Sequence, residues 1–198
     1  MKIRIMTLGD YATNCYLVSD EAGVTAVIDP GASPEIVANY LREEHLTLGA
    51  ILLTHGHFDH VGGVRALAEA FGCPVYLNEK DTAMPQSLTA GPLYVTDFYA
   101  EGQEVAVGAL RFTVLETAGH TPGSVCLLCD GVLFSGDTLF RGACGRVDLW
   151  GGDWQQMQSS LRRLAELDGA PTVLCGHGES TTLERERAEN PYLRRYGR

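Results

Sequence analysis

No run of apolar residues in this 198-residue sequence approaches the roughly 20 needed to cross a bilayer, so no transmembrane helix is expected. The opening residues, Lys2-Ile3-Arg4-Ile5-Met6, alternate like a strand. They lack the basic stretch, apolar core and small-residue cleavage site of a signal peptide, and the expectation is a cytoplasmic protein. Positive charge is scarce: 15 Lys and Arg stand against 25 Asp and Glu, a formal net charge of −10. A nucleic-acid partner is not expected, because phosphate backbones are held by clustered Lys and Arg. The local exception runs from Glu184 to Arg198, where Arg185, Arg187, Arg194, Arg195 and Arg198 mix with Glu184, Glu186 and Glu189. Alternating signs of this kind mark a solvated helix and tail.

Cysteine chemistry is equally thin. Cys-x-x-Cys occurs at Cys126–Cys129, with no second pair to complete a zinc site. Positions three apart on a strand point to opposite faces, so Cys15, Cys73, Cys126, Cys129, Cys144 and Cys175 read as small apolar side chains of a reducing compartment. The Gly-x-Ser-x-Gly elbow of serine hydrolases is absent.

With 45% hydrophobic and 20% charged residues, the composition is that of an ordinary globular protein, long enough for one well-buried domain. We read residues 1–198 as a single domain without linker or repeat. Strands are expected at Lys2–Met6, Asn14–Ser19, Val24–Asp29, Ala50–Thr54, Pro74–Leu77, Glu104–Val107, Leu110–Glu116, Ser124–Cys129, Val132–Ser135 and Pro171–Cys175, with a hairpin at Asp130-Gly131. Helical spacing appears three times. Ser33 is a candidate cap before Pro34 and the apolar positions Ile36, Val37, Tyr40 and Leu41. Val64, Leu67, Ala68 and Phe71 form a second stripe that Gly72 ends. Asp153 opens a third, Trp154, Met157, Leu161, Leu164 and Leu167, with Arg162, Arg163 and Glu166 facing away. Strands alternating with one-sided helices predict a layered α/β protein. Thr82–Glu101 is irregular and aromatic, either a substrate-side loop or a structural insertion.

The segment that carries chemistry is Thr54-His55-Gly56-His57-Phe58-Asp59-His60, at the end of the apolar strand Ala50-Ile51-Leu52-Leu53. Three of the six histidines crowd here beside a carboxylate, a donor set suited to Zn, Fe(II) or Mn. His120, Asp137 and His177 each follow another expected strand and lie beside glycines, so they can meet at one mouth of a sheet. His45, among Glu43 and Glu44 at a helix end, reads as a surface residue.

With Asn14-Cys15-Tyr16, Ile28-Asp29-Pro30-Gly31, Gly136-Asp137-Thr138-Leu139-Phe140-Arg141-Gly142, Gly145-Arg146 and Cys175-Gly176-His177-Gly178, these residues resemble the metallo-β-lactamase superfamily, and within it the small glyoxalase II-like hydrolases. The resemblance covers nearly the whole chain and implies a four-layer αβ/βα sandwich without the C-terminal helical domain of glyoxalase II. It implies that His55, His57 and His120 hold one metal ion and Asp59, His60 and His177 a second, with Asp137 bridging. Two divalent ions are implied, Zn foremost and Fe or Mn as alternatives. The implied activity is hydrolysis of an acyl-thioester or related small ester by a metal-bridging hydroxide, since paired ions lower the pKa of water from about 15.7 toward neutrality. Asp59 would orient that nucleophile, and Arg141 and Arg146 would anchor an anionic substrate. The tyrosines that accompany glutathione recognition in the family are replaced by Asp148 and Glu179. Three rival functions share or borrow the pattern: a mononuclear-iron persulfide dioxygenase, a phosphodiesterase or ribonuclease, and a non-catalytic binding module. β-Lactam hydrolysis, usually secreted work, is not expected.

Overall fold

The structure, a computed structural model, describes residues 1–194; Arg195 and Arg198 lie outside the described residues. Its strands are β1 Lys2–Leu8, β2 Thr13–Ser19, β3 Val24–Ile28, β4 Thr47–Leu52, β5 Val75–Leu77, β6 Asp97–Phe98, β7 Glu104–Val107, β8 Leu110–Glu116, β9 Val125–Cys129, β10 Val132–Gly136, β11 Leu139–Phe140, β12 Ala143–Cys144, β13 Thr172–Cys175 and β14 Thr181–Thr182. The helices are α1 Pro34–Glu43, α2 Phe58–Val61, α3 Val64–Phe71, α4 Gln86–Thr89, α5 Trp154–Ala165 and α6 Leu183–Glu189. All ten expected strands form, β7 and β8 with the expected bounds and the others with shifted ends. The short β6, β11, β12 and β14 were not anticipated, because two residues carry no period to read.

The strands build two six-stranded sheets, ordered β1-β2-β3-β4-β5-β6 and β14-β13-β10-β9-β8-β7, and a two-stranded ribbon, β11-β12. Three apolar layers alternate with them. Leu17, Val27, Ile51 and Leu53 pack against α1 and α3 through Val37, Leu41, Val64 and Leu67. Tyr16, Val18, Ile28, Leu52, Phe112, Leu127 and Phe134 fill the space between the sheets. Cys126, Leu133 and Val173 meet Met157, Leu161 and Leu164 of α5. The result is the four-layer αβ/βα sandwich. Strand β2 is buried at every position because its two faces belong to different layers, which is why it reads as a continuous apolar run rather than an alternation. Cys126 and Cys129 fall in different layers, as their three-residue spacing requires.

Local chemistry explains the boundaries. Asp153 caps α5 by accepting from the amides of Gln155 and Gln156, and Gly72 ends α3 in the left-handed region at φ 67°. Asp130 and Gly131, both at positive φ, make the β9–β10 hairpin. Ser33 does not cap α1: it is itself left-handed at φ 48° and its side chain accepts nothing there, leaving Pro34 to start the helix. Three stripe assignments also need correction, the first being Trp154, which is 39% exposed. Ile36 is 50% exposed, and α1 is seated instead by Val37, Ala38 and Leu41. Arg163 does not face away but reaches back to Glu101 and the carbonyl of Glu116. Segment 82–101 is largely structural: Leu93, Tyr94 and Val95 pack on the first apolar layer, Tyr99 is buried, and Asp97–Phe98 adds the edge strand β6. His45 is exposed. Among the described residues no helix is long and apolar enough to cross a membrane.

Strands β8, β10 and β13 run in one direction, because β9 is antiparallel to both β8 and β10 while β10 and β13 are parallel. Their C-terminal ends therefore leave the second sheet on one side. The loop after β4 meets them there, tied by the Val125 amide, which donates to the Thr54 carbonyl at 2.9 Å.

Candidate metal centre

At that edge the structure gathers the seven side chains singled out from the sequence. His55, His57 and His120 form one trio with donor atoms within 4.8 Å of one another, and Asp59, His60 and His177 form another. Asp137 stands between them: Oδ1 lies 3.5 Å from His60 Nε2, while Oδ2 lies 3.6 Å from His120 Nε2 and 3.5 Å from His177 Nε2. The motif is not wholly a loop. His57 is on extended chain, and α2 begins at Phe58 and carries Asp59 and His60.

The histidines are aimed by partners behind them. His60 Nδ1 donates to Asp29 Oδ2 at 2.9 Å, His120 Nδ1 to the Arg146 carbonyl at 2.8 Å and His177 Nδ1 to the Tyr11 carbonyl at 3.1 Å. An acceptor behind each ring fixes its tautomer and leaves the Nε2 lone pair facing inward. His60 Nε2 then faces His177 Nε2 at 3.4 Å, and His57 Nδ1 faces His120 Nε2 at 2.9 Å. Lone pairs so close repel unless a proton or a cation lies between them. Among the described residues, buried His55 Nε2, His57 Nε2 and Asp137 Oδ1 have no hydrogen-bond partner. Orphaned inward donors, two carboxylates and five imidazoles together fit divalent cations.

Electrostatics agree. Burial, reinforced by neighbouring imidazoles, pushes His55 well below the usual imidazole range and His57 down to about 4. Burial acts the same way on His60, but Asp137, Asp29 and Asp59 outweigh it and hold the ring up at about 9. His177 is raised chiefly by its hydrogen bond with Asp59, against burial. Burial would lift Asp59, yet His177, His60 and Thr13 hold it well below the carboxylate range. The second trio is thus a negatively biased cradle.

Sequence reasoning passed over several residues that build this centre. Thr13 donates to Asp59 Oδ2 at 3.0 Å. Asn14 donates to the carbonyls of Cys175 and Gly178, and Tyr16 to that of Cys175, so Asn14-Cys15-Tyr16 clamps the His177 loop. Asp29 also accepts from the amide and hydroxyl of Thr54. Asp81, fully buried, accepts from the amides of Gly56 and Gly123 and the hydroxyl of Thr121, joining the His55–His57 loop to the His120 loop. Asn14, Tyr16 and Asp29 lay inside quoted motifs, though without a stated role; nothing in the run Glu79–Thr82 marked Asp81.

Arg141 and Arg146 lie on the rim, exposed. Arg141 pairs with Glu179, and Arg146 with Asp148 through bonds of 2.7 and 2.8 Å. The two acids that replace the family's tyrosines are therefore the partners of these two arginines.

Residues 8–177 match the Metallo-beta-lactamase superfamily. The hydroxyacylglutathione hydrolase GloC of Haemophilus influenzae is 35% identical over 98% of each chain. Among solved structures the chain resembles the BLEG-1 B3 metallo-beta-lactamase at TM-score 0.88 and 35% identity, covering 97% of this chain and 99% of that one. TTHA1623, solved in a di-iron-bound form, gives TM-score 0.85 and 40% identity over 96% and 100%. ETHE1 from Myxococcus xanthus gives 0.84 and 32% over 96% and 84%. Sequence match, sandwich and clustered donors agree: the chain belongs to the metallo-β-lactamase superfamily of metal-dependent hydrolases.

Proposed function

We propose that the chain hydrolyses small acyl-thioesters using two divalent ions, Zn foremost with Fe or Mn as alternatives. The observation that carries this reading is the pair of donor trios, His55/His57/His120 and Asp59/His60/His177, with Asp137 between them. Ions bound there supply hydroxide at neutral pH and polarise a carbonyl.

The chain's own residues hold and orient. Asp29 and the carbonyls of Tyr11 and Arg146 keep three imidazoles in their binding tautomers. Thr13 donates to Oδ2 of Asp59, which leaves Oδ1 to accept from the attacking water and orient it. Hydrolysis forms a C–O bond, breaks the C–S bond and ends with the proton on the departing thiol. Arg141 and Arg146 act as anchors for an anionic thiol part: exposed ion pairs are worth about 0–1 kcal/mol, so a substrate carboxylate can displace Glu179 or Asp148. In this reading residues 1–198 act as one cytoplasmic domain on a small molecule, with neither a helical extension nor nucleic acid required. The identity to GloC supports it.

A second reading is favoured by two observations. The trios His55/His60/Asp137 and Asp59/His60/His177 are each two histidines and a carboxylate, the donor set of mononuclear iron oxygenases, and ETHE1 is a structural neighbour. The test is a screen of thioesters, lactones, β-lactams and persulfides against protein purified with its native metals, with metal content and oxygen uptake recorded. Thioester turnover without oxygen uptake, lost in Asp137→Ala and His57→Ala, supports the proposal. Equal and negligible turnover by metal-free and metal-loaded protein overturns it, and oxygen uptake with a persulfide selects the second reading.

A further inference from the structure

Beside Asp59, the apolar side chains of Leu8, Tyr11, Ala32 and Phe58, with Asp10 and the backbone of Gly9 and Gly31, line a recess of about 260 Å³. We propose that this recess binds the acyl part of the substrate and selects an apolar chain or aryl group; the inference rests on the thioester reading above.

Tyr11 is 62% exposed. It is held edge-on against Phe58, centroids 4.9 Å apart and planes at 83°, so two rings form one preset wall. That wall is built into the centre. The Tyr11 carbonyl accepts from His177 Nδ1, Phe58 opens the helical turn that carries Asp59 and His60, and Asp59 itself lines the recess. An acyl carbon at the centre therefore has an apolar surface on one side. Across His177 the surroundings change: Phe140 lies 6.3 Å from that ring, and Arg141–Glu179 follows it in the chain. The site is thus two-sided, which orients the thioester with its acyl chain toward Tyr11 and its charged thiol part toward the arginines. The volume admits a phenyl ring, since apolar cavities of about 150 Å³ bind benzene.

The test uses metal-loaded protein and S-acyl-N-acetylcysteamine thioesters of acetate, butyrate, hexanoate and phenylacetate. In the wild type, kcat/KM is expected to rise about fourfold per methylene from acetyl to hexanoyl. Tyr11→Ala, which removes one wall, and Ala32→Leu, which fills the recess, should each lower hexanoyl and phenylacetyl turnover about tenfold more than acetyl turnover. Thioester turnover with no dependence on chain length, or losses in both variants equal across the series, overturns the recess and leaves the thioester reading standing. A second measurement separates the converse failure: calorimetric titration of the same proteins with acetate and hexanoate. If no thioester is hydrolysed but hexanoate binds the wild type more tightly than acetate and Tyr11→Ala abolishes the difference, the recess stands and the thioester reading falls. Equal binding of the two acids overturns the recess.

Discussion

Asp29 Oδ2 lies 2.9 Å from His60 Nδ1, across 31 residues of sequence, and the same carboxylate accepts from the amide and hydroxyl of Thr54 at 2.8 and 2.6 Å. One buried acid therefore ties the end of β3 to the end of β4 and to α2. Removing it strands a buried imidazole and two Thr54 donors. Asp29→Ala is expected to lower stability by about 3–5 kcal/mol in urea denaturation, and to weaken metal binding by about 10–100-fold. Unchanged metal affinity in a folded Asp29→Ala protein would show that His60 needs no such partner.

Asp81 makes the corresponding tie between the loops of His57 and His120. Burial pushes its carboxyl above the usual range despite three donors. Truncation leaves two amides without partners at about 1–3 kcal/mol each. Asp81→Ala should lose the ion held by His55, His57 and His120 while keeping that held by Asp59, His60 and His177. Equilibrium dialysis would then find one ion per chain where the wild type retains two. Loss of both ions together, or of neither, contradicts the assignment.

Gly176 is needed for close approach, not for its backbone angle. A Cβ there would stand 2.1 Å from Asp137 Oδ1 and 2.8 Å from His60 Cε1. Gly176→Ala should push Asp137 off its position between the trios and abolish turnover, with stability affected less than activity. Wild-type kinetics in this variant would mean that Asp137 is dispensable.

The histidines predict a stability optimum for metal-free protein. His57, depressed to about 4, favours the folded state above the ordinary imidazole value of about 6.5. That contribution is lost as pH falls toward 4, because the unfolded chain takes the proton first. His60, raised to about 9, acts oppositely: its contribution is full below about 6.5 and disappears as pH rises through 9. Thermal unfolding of chelator-treated protein should therefore be most resistant near pH 6.5, with Tm falling on both sides. Metal loading should flatten the alkaline fall, since a bound cation takes over the role of the His60 proton. A Tm that climbs steadily from pH 6.5 to 9 without metal would contradict the charge balance described for the second trio.

Much of this centre was legible in the sequence because its residues are chemically rare and stand where strands end. His55, His57, Asp59 and His60 are compressed into six residues, and His120, Asp137 and His177 each follow an apolar strand beside glycine. The core strands were legible from β-branched runs, and the β9–β10 hairpin from Asp130-Gly131. What escaped was whatever depends on tertiary partners. Thr13 acts through one hydrogen bond to a group 46 residues away and Asp81 through three to groups 25 to 42 residues away, and no local pattern encodes those. Ser33 has the identity of a cap, but its left-handed backbone removes the geometry. Segment 82–101 stayed open between a substrate-side loop and a structural insertion because it lacks periodicity; the structure uses Tyr94 and Tyr99 in packing.

The most direct test of the central claim is metal stoichiometry in native mass spectrometry, on the wild type and on Asp137→Ala. The account predicts two ions per wild-type chain, with the second lost or weakened when Asp137 is removed and thioester turnover lost with it. A wild-type chain that is fully active with a single ion, or that carries two ions unaffected by loss of Asp137, would contradict it.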